Sequence, residues 1–234
     1  MRAEGQTLTG IDWHDRDAED AQLTDCVIER AQFSGTRFAG SRFLRCRFVE
    51  CRFARAELHS ARFEGCSLVG TSFAFAELRQ ARFETSDLSL ARFERCDMFG
   101  IEMVQCHLRG AVFQQADFSH AYSRRQISTR ASFQSCNLEL ADLSGARLPG
   151  CDLTGSRLRE ADLSGADFTD AILRDCDLFQ AILSGAKLAG ADLRGAEISG
   201  LDLMALASFR GLRINQDQQH VLLHGLGIEV DPGL

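Results

Sequence analysis

The residues best equipped for chemistry in this 234-residue chain are nine cysteines and six histidines. Thiolates act as nucleophiles, metal ligands or disulfide partners, and imidazole is the usual general base or zinc ligand. The spacing favours none of these. No Cys-x-x-Cys pair or Cys–His grouping of the zinc type occurs. Cys106 and His107 are adjacent, but neighbours on an extended backbone face opposite ways, so they make a poor nucleophile–base pair. His220 and His224 lie four apart on a segment that reads as helix, without the glutamate of a zinc-protease motif, and read as a solvated face. No Ser-His-Asp spacing or glycine-rich phosphate loop is present. The first twenty residues are polar and acidic, with no apolar signal core, and no run of about 18 apolar residues could span a bilayer. A net charge of −7 argues against a general nucleic-acid binder. These observations predict a cytoplasmic chain with no enzymatic activity, cofactor, metal, membrane contact or direct nucleic-acid contact.

What positions the cysteines is a five-residue repeat. Apolar anchors fall at Leu23, Ile28, Phe33 and every fifth residue to Leu203; of these 37 positions, 35 hold Leu, Phe, Ile or Met. The exceptions are Ser123 and Ser128. Two residues before the anchor stands a small residue at 34 of the 37 positions, all but Ile101, Gln126 and Leu201, and all nine cysteines belong to this class. Two residues after the anchor stands every glycine between Ala21 and Ala205. A period of five suits neither helix nor simple strand. Small-x-large points two side chains inward from an extended backbone, and the next two residues turn the chain, which suits glycine at positive φ. Repetition winds a coil whose stacked turns pair as parallel strands, and the scarcity of proline (two in the chain) protects those ladders.

Units such as Ala141-Asp142-Leu143-Ser144-Gly145 and Ala191-Asp192-Leu193-Arg194-Gly195 resemble the pentapeptide-repeat family. The resemblance implies an all-β fold, a right-handed quadrilateral β-helix with four pentapeptides per coil. Residues 1–20 read as an N-terminal cap with a degenerate first coil from near Gln6, carried by Leu8, Ile11 and Trp13. Residues 21–205 form the repeat, with a loop or irregular coil at 119–130. Residues 206–234 form a cap, helix and dimerisation tail. About nine coils at roughly 4.8 Å give a rod about 45 Å long. With residues 20 apart in register, Cys26, Cys46, Cys66 and Cys106 should share one inner column, and Cys96, Cys136 and Cys176 a second. Side chains about 4.8 Å apart are too distant for the usual disulfide, so the cysteines should pack as small buried hydrophobes.

A filled core leaves function to the outer surface. One face should carry Glu57, Glu77, Asp97 and Asp117, then Asn137 and Arg157, then Asp177 and Glu197. Another should carry Arg42, Arg62 and Arg82, then Asp142 and Asp162. Residues 131–205 hold 6 basic and 12 acidic residues. B-DNA carries one charge per about 1.7 Å, so an acidic rod of similar width can present a comparable field. The segment Ser119–Arg130 loses two anchors and gathers Tyr122, Arg124, Arg125, Ile127 and Arg130, which reads as a recognition loop. Asn215 should cap a helix running to His224 with Gly225 as its stop. Val221, Leu222, Leu223 and Leu226 supply an apolar face, and Ile228 and Val230 a β-like tail.

Gly100-Ile101-Glu102-Met103, Cys106, Gly110-Ala111 and the tail with Gln218-Gln219, Leu222-Leu223 and Leu226-Gly227-Ile228 resemble the Qnr/MfpA-like quinolone-resistance branch of that family. The resemblance implies a homodimer joined through its C-terminal ends. That dimer would mimic DNA, bind DNA gyrase and, as a second candidate, topoisomerase IV, and relieve fluoroquinolone inhibition. One departure is an uninterrupted frame from Phe43 to Phe63, where Qnr proteins carry a smaller N-terminal loop. The alternatives are a protein-interaction scaffold or an immunity factor against another gyrase-targeting toxin.

Overall fold

The structure, a computed structural model, describes residues 1–123 and 126–229, with the side chains of residues 122–127 outside the described set. Each pentapeptide lays down an extended triplet and a turn. The turn closes when the small residue's N–H donates to the preceding anchor's carbonyl, as from Ala56 to Phe53 at 3.0 Å. The second residue after the anchor adopts left-handed backbone whatever its type, from φ 48° at Thr85 to φ 62° at Phe75, as well as at Gly195 (φ 76°). The demand therefore belongs to the position, and glycine is only its least strained occupant.

Short parallel strands stack along the rod: β1 (Arg2–Glu4), β2 (Thr7–Thr9), β3 (Gln22–Thr24), β4 (Val27–Glu29), β5 (Arg42–Leu44), β6 (Arg47–Val49), β7 (Arg62–Glu64), β8 (Arg82–Glu84) and β9 (Ile101–Val104). Register advances by 20 residues, with Arg2 opposite Gln22 and Arg62 opposite Arg82. The first coil is regular from Arg2, which corrects the expected start near Gln6. Half-buried Trp13 packs edge-on to Phe33 at 5.7 Å and covers the N-terminal end of the aromatic core.

The register jumps once. β10 (Ser119–Ser123) and β11 (Gln126–Thr129) pair antiparallel, and β12 (Ala131–Gln134) then stacks on β9 with Ile101 opposite Ala131. That coil spans 30 residues, so a ten-residue hairpin has been inserted. Ten residues are two pentapeptides, which turns every later position to the opposite face from the one a constant spacing of 20 predicts.

Two expectations change in consequence. The predicted first cysteine column runs on across the hairpin, so that Cys26, Cys46, Cys66, Ser86 and Cys106 continue through Cys136, Ser156 and Cys176, while Cys96, expected with those last two cysteines, stands on the opposite face. The Cys136 thiol donates to the Met103 carbonyl 33 residues back at 3.4 Å, where Cys66 reaches Phe43, 23 residues back, at 3.2 Å. The charged columns are also re-sorted. Asn137, Arg157, Asp177 and Glu197 follow Asp87 and His107; they do not follow Asp117. Asp142 and Asp162 follow Arg92 and Val112, whereas the Arg42–Arg62–Arg82 column runs on to Glu102, Ser132 and Asp152.

The interior is packed along its length. Phe33, Phe53, Phe73, Phe93 and Phe113 stack on one face with centroids 4.9 to 5.3 Å apart, and Phe43, Phe63 and Phe83 stack on the opposite face at 4.6 and 4.7 Å. Leucine takes over beyond the hairpin. All nine thiols are buried and free. They are more than hydrophobic filler: Cys46, Cys51, Cys96 and Cys176 donate to anchor carbonyls one coil below, as the Ser41 and Ser86 hydroxyls do. Burial pushes the Cys96 and Cys176 thiols up to about 12, so they are poor nucleophiles at neutral pH.

The C-terminus closes the coil. A single turn at Gln216–Gln218 leads into α1 (Gln219–Gly225). Buried Gln218 accepts from the Asn215 N–H at 2.6 Å and donates to the Leu193 and Ala196 carbonyls at 2.8 and 2.7 Å, plugging the last coil. The left-handed stop is Gly227 (φ 71°); Gly225, the expected stop, is the helix's last residue. Ile228 lies in no strand, and Val230 lies outside the described residues.

Candidate functional site

The strongest surface feature is a column of four carboxylates. Glu57, Glu77, Asp97 and Asp117 bridge in parallel register on one face, one rung per coil. The pentapeptide dictates this, because the residue before each anchor points outward and returns every 20 residues to the same face. Like charges one rung apart repel. Neighbouring donors relieve part of that: the Arg79 guanidinium Nε stands 2.5 Å from Asp97, and His59 Nε2 2.7 Å from Glu77.

These carboxylates also have local work. Asp117 accepts the Ser119 N–H at 2.9 Å and the Ser119 hydroxyl at 2.6 Å, closing an Asx turn at the hairpin's base. Asp142, Asp162 and Asp177 accept N–H groups from Ser144, Ser164 and Phe179, and Glu197 accepts from Ser199. Hydrogen bonds from Ser199 hold the Glu197 carboxyl below the usual range. The acidic residues are thus part of the turn chemistry of the repeat as well as its surface charge.

The hairpin rises where the acidic column ends. His120 Nδ1 lies 3.3 Å from Arg79 Nη1, and its ring packs 5.2 Å from Phe99. The column and the hairpin base therefore meet at Arg79, Phe99, Asp117 and His120. Arg130, at the other foot, is exposed and stands 4.0 Å from Glu102. Of the expected loop contacts, the side chains of Tyr122 and Ile127, and Arg124 and Arg125 altogether, lie outside the described residues.

The remaining acidic candidates do not join this column. Asp142 stacks with Asp162 on a second face, and Asp177 with Glu197 on a third. Arg159 stands 3.3 Å from Asp177, and Lys187 3.1 Å from Asp167. Beyond the hairpin the negative charge surrounds the rod instead of lining one side. Among the expected dimer residues, Leu222 is buried in the cap, Val221 and Leu223 are half-buried, and Leu226 and Ile228 are exposed. Among the described residues, no group of His, Cys, Asp or Glu could hold a metal ion. No helix among them is long and apolar enough to cross a membrane.

Sequence reasoning missed two surface features. The hairpin's effect on register was signalled only by the anchors lost at Ser123 and Ser128. The corner formed by Arg55, Phe75 and Arg95 was signalled by an aromatic at a turn position.

Comparison with known proteins places the chain. A pentapeptide repeat region model matches residues 16–93, and pentapeptide repeats match 91–122, 136–175 and 171–205, so the matches part around the hairpin. A trypsin-treated variant of QnrB1, a plasmid-mediated fluoroquinolone resistance protein, superimposes with a TM-score of 0.70 at 25% identity, covering 99% of this chain and 100% of that one. Full-length QnrB1 gives 0.64 at 23% identity over 97% and 100%. HetL, a pentapeptide repeat protein involved in heterocyst differentiation regulation from the cyanobacterium Nostoc sp. strain PCC 7120, gives 0.55 at 22% over 88% and 87%. No curated protein matches the chain by sequence. The repeat matches span most of the chain, the rod is Qnr-like throughout, and this protein belongs to the pentapeptide-repeat family.

Proposed function

We propose that this protein binds DNA gyrase in place of DNA and protects it from fluoroquinolones, with topoisomerase IV as a second target. The observation that carries the reading is the stacked column Glu57–Glu77–Asp97–Asp117 ending at the base of a projecting hairpin, on a rod similar to QnrB1 from end to end. Four carboxylates in line suit a basic groove built for a phosphate backbone. The hairpin adds a contact that duplex DNA does not make. Two rods joined at exposed Leu226 and Ile228 would give a longer mimic.

The test is gyrase supercoiling with ciprofloxacin, with and without the protein, beside direct binding at two salt concentrations. Rescue and salt-sensitive binding are expected. No rescue at any concentration together with no binding at low salt defeats the proposal. The scaffold reading gains weight from the turn hydrogen bonds at Asp117, Asp142, Asp162, Asp177 and Glu197, which give those carboxylates a structural role. Neutralising Glu57 and Glu77 as glutamines separates the two, because the scaffold predicts no effect on gyrase.

A further inference from the structure

The corner next to the acidic column holds three stacked left-handed residues: Arg55 (φ 59°), Phe75 (φ 62°) and Arg95 (φ 54°). Phe75 is 48% exposed and is the sole aromatic among the described non-glycine residues at positive φ. The guanidinium carbons of Arg55 and Arg95 lie 6.0 and 5.6 Å from its ring centroid, one coil below and one above. Arg52, Ser72 and Arg92 bridge on the face beside the corner. Arg92 is drawn to Glu94 at 2.5 Å and Arg95 to Gln115 at 2.7 Å.

This arrangement works against the fold. A bulky side chain is less at ease at positive φ than glycine. An exposed ring recovers little of that by burial. The left-handed backbone is common to the turns of the repeat, so what sets this corner apart is a half-exposed ring held between two guanidinium groups. An aromatic flanked by arginines has the composition of an interface hot spot, in which the ring fills a pocket and each guanidinium takes a carboxylate as a fork.

Charge narrows the partner. Glu57, Glu77 and Asp97 lie two residues along the chain from Arg55, Phe75 and Arg95, so an acidic column runs beside the basic corner. A continuous polyanion laid on the arginines would meet those carboxylates. A protein surface can alternate its charges. The geometry points to Arg55, Phe75 and Arg95 as a docking ridge for a protein surface with an acidic-rimmed apolar pocket beside a basic groove. The inference rests on the gyrase reading for the identity of that protein. There the groove would take the acidic column and the pocket would take Phe75.

The experiment measures binding of purified gyrase holoenzyme to wild type, Phe75→Gly and Arg55→Gln/Arg95→Gln, with thermal melting in parallel. Glycine is the repeat's own turn residue, so Phe75→Gly should melt no lower than wild type while binding gyrase at least tenfold more weakly. The double arginine variant should lose a similar factor and show a shallower salt dependence. Unchanged affinity in both variants, with wild type binding gyrase, overturns the ridge and leaves the gyrase reading standing. No binding by wild type overturns both. A 20-nucleotide single strand serves as the competing probe: binding that disappears in Arg55→Gln/Arg95→Gln would assign the corner to nucleic acid and overturn the protein partner.

Discussion

Deleting His120–Thr129 and joining Ser119 to Arg130 removes ten residues, the excess of the 30-residue coil over its neighbours. Phe118 is then followed by two turn residues and Ala131, as every other anchor is followed by two residues and a small one. The Asx turn from Asp117 to Ser119 is kept. Removing a ten-residue excursion recovers about 2 kcal/mol of loop-closure entropy. Against that stands the His120 ring contact with Phe99, about 0.5–1.5 kcal/mol, and its contact with Arg79, of about the same size. The terms nearly cancel, so the melting temperature should move by no more than about 8 °C either way. Deleting Ser119–Arg130, two residues more, leaves Phe118 bonded to Ala131 with no turn between them. Buried Phe133 and Cys136 then cannot reach their places over Met103 and Cys106, and loss of the phenylalanine alone costs about 3–5 kcal/mol. Thermal unfolding followed by circular dichroism distinguishes them: the ten-residue deletion should melt as one cooperative rod and the twelve-residue deletion well below it. Equal destabilisation by both would refute the insertion as a hairpin that preserves the five-residue frame. In the ciprofloxacin assay the ten-residue deletion should fold yet protect gyrase less; full protection would remove the hairpin from the contact.

Three further outcomes follow from single side chains. The Asp192 carboxylate is 1% exposed and accepts from Arg194 and Arg174 at 2.7 and 2.6 Å. Those bonds hold its pKa far below the ordinary 3.8, so its contribution is complete above about pH 4 and is lost as pH falls through the depressed value. Asp192→Asn should therefore cost about 3 kcal/mol in urea unfolding at pH 7, and the gap from wild type should narrow below pH 3. Gln218→Ala removes the side-chain donor of the Ala196 carbonyl, at about 1–3 kcal/mol, whereas the Leu193 carbonyl keeps the Ala196 N–H, and hydrogen exchange should quicken in the last coil before any other. If the tails join two rods, Leu226→Asp should give monomers in light scattering and remove any concentration dependence of the melting temperature, whereas Leu222→Asp should loosen the cap itself, because that side chain is buried. A wild type already monomeric would reduce the tail to a cap.

The fold was readable because the repeat makes each local choice agree with the global one. Every small position from Ala21 to Ala116 and every anchor from Leu23 to Phe118 faces inward. The ends were less readable, because they obey other rules. The polar plug at Gln218 looks in sequence like any glutamine on a solvated helix, and nothing local separates Gly225 from Gly227 as the stop. The thiol hydrogen bonds were hidden too, since a period reports that a position is small and inward without saying which carbonyl lies below it.

The surface was harder to read for a reason specific to this repeat. An insertion of seven or eight residues would have shifted the pentapeptide frame and announced itself. Ten residues leave the frame intact, so Phe118 and Phe133 remain in phase while the chain between them leaves the rod and returns. The inward pattern does not change, because all four faces share one inward rule. The outward pattern does, because each face carries its own side chains. Asp117 and Asn137 are 20 apart in sequence, yet Asn137 stands over His107 on the opposite face. The face expected to run from Glu57 through Asn137 and Arg157 to Glu197 is therefore two shorter features on opposite sides, before and after the hairpin. If the rod substitutes for DNA, the side that enters the basic groove before the hairpin is that of Glu57, Glu77, Asp97 and Asp117. The side that would follow it in a straight line is headed by Arg147, Asp167 and Lys187, of mixed charge. Charge-reversal of Glu77 and Asp97 should accordingly weaken gyrase binding more than reversal of Asp177 and Glu197; equal losses would mean that the rod presents its whole circumference, and that the column is not the contact.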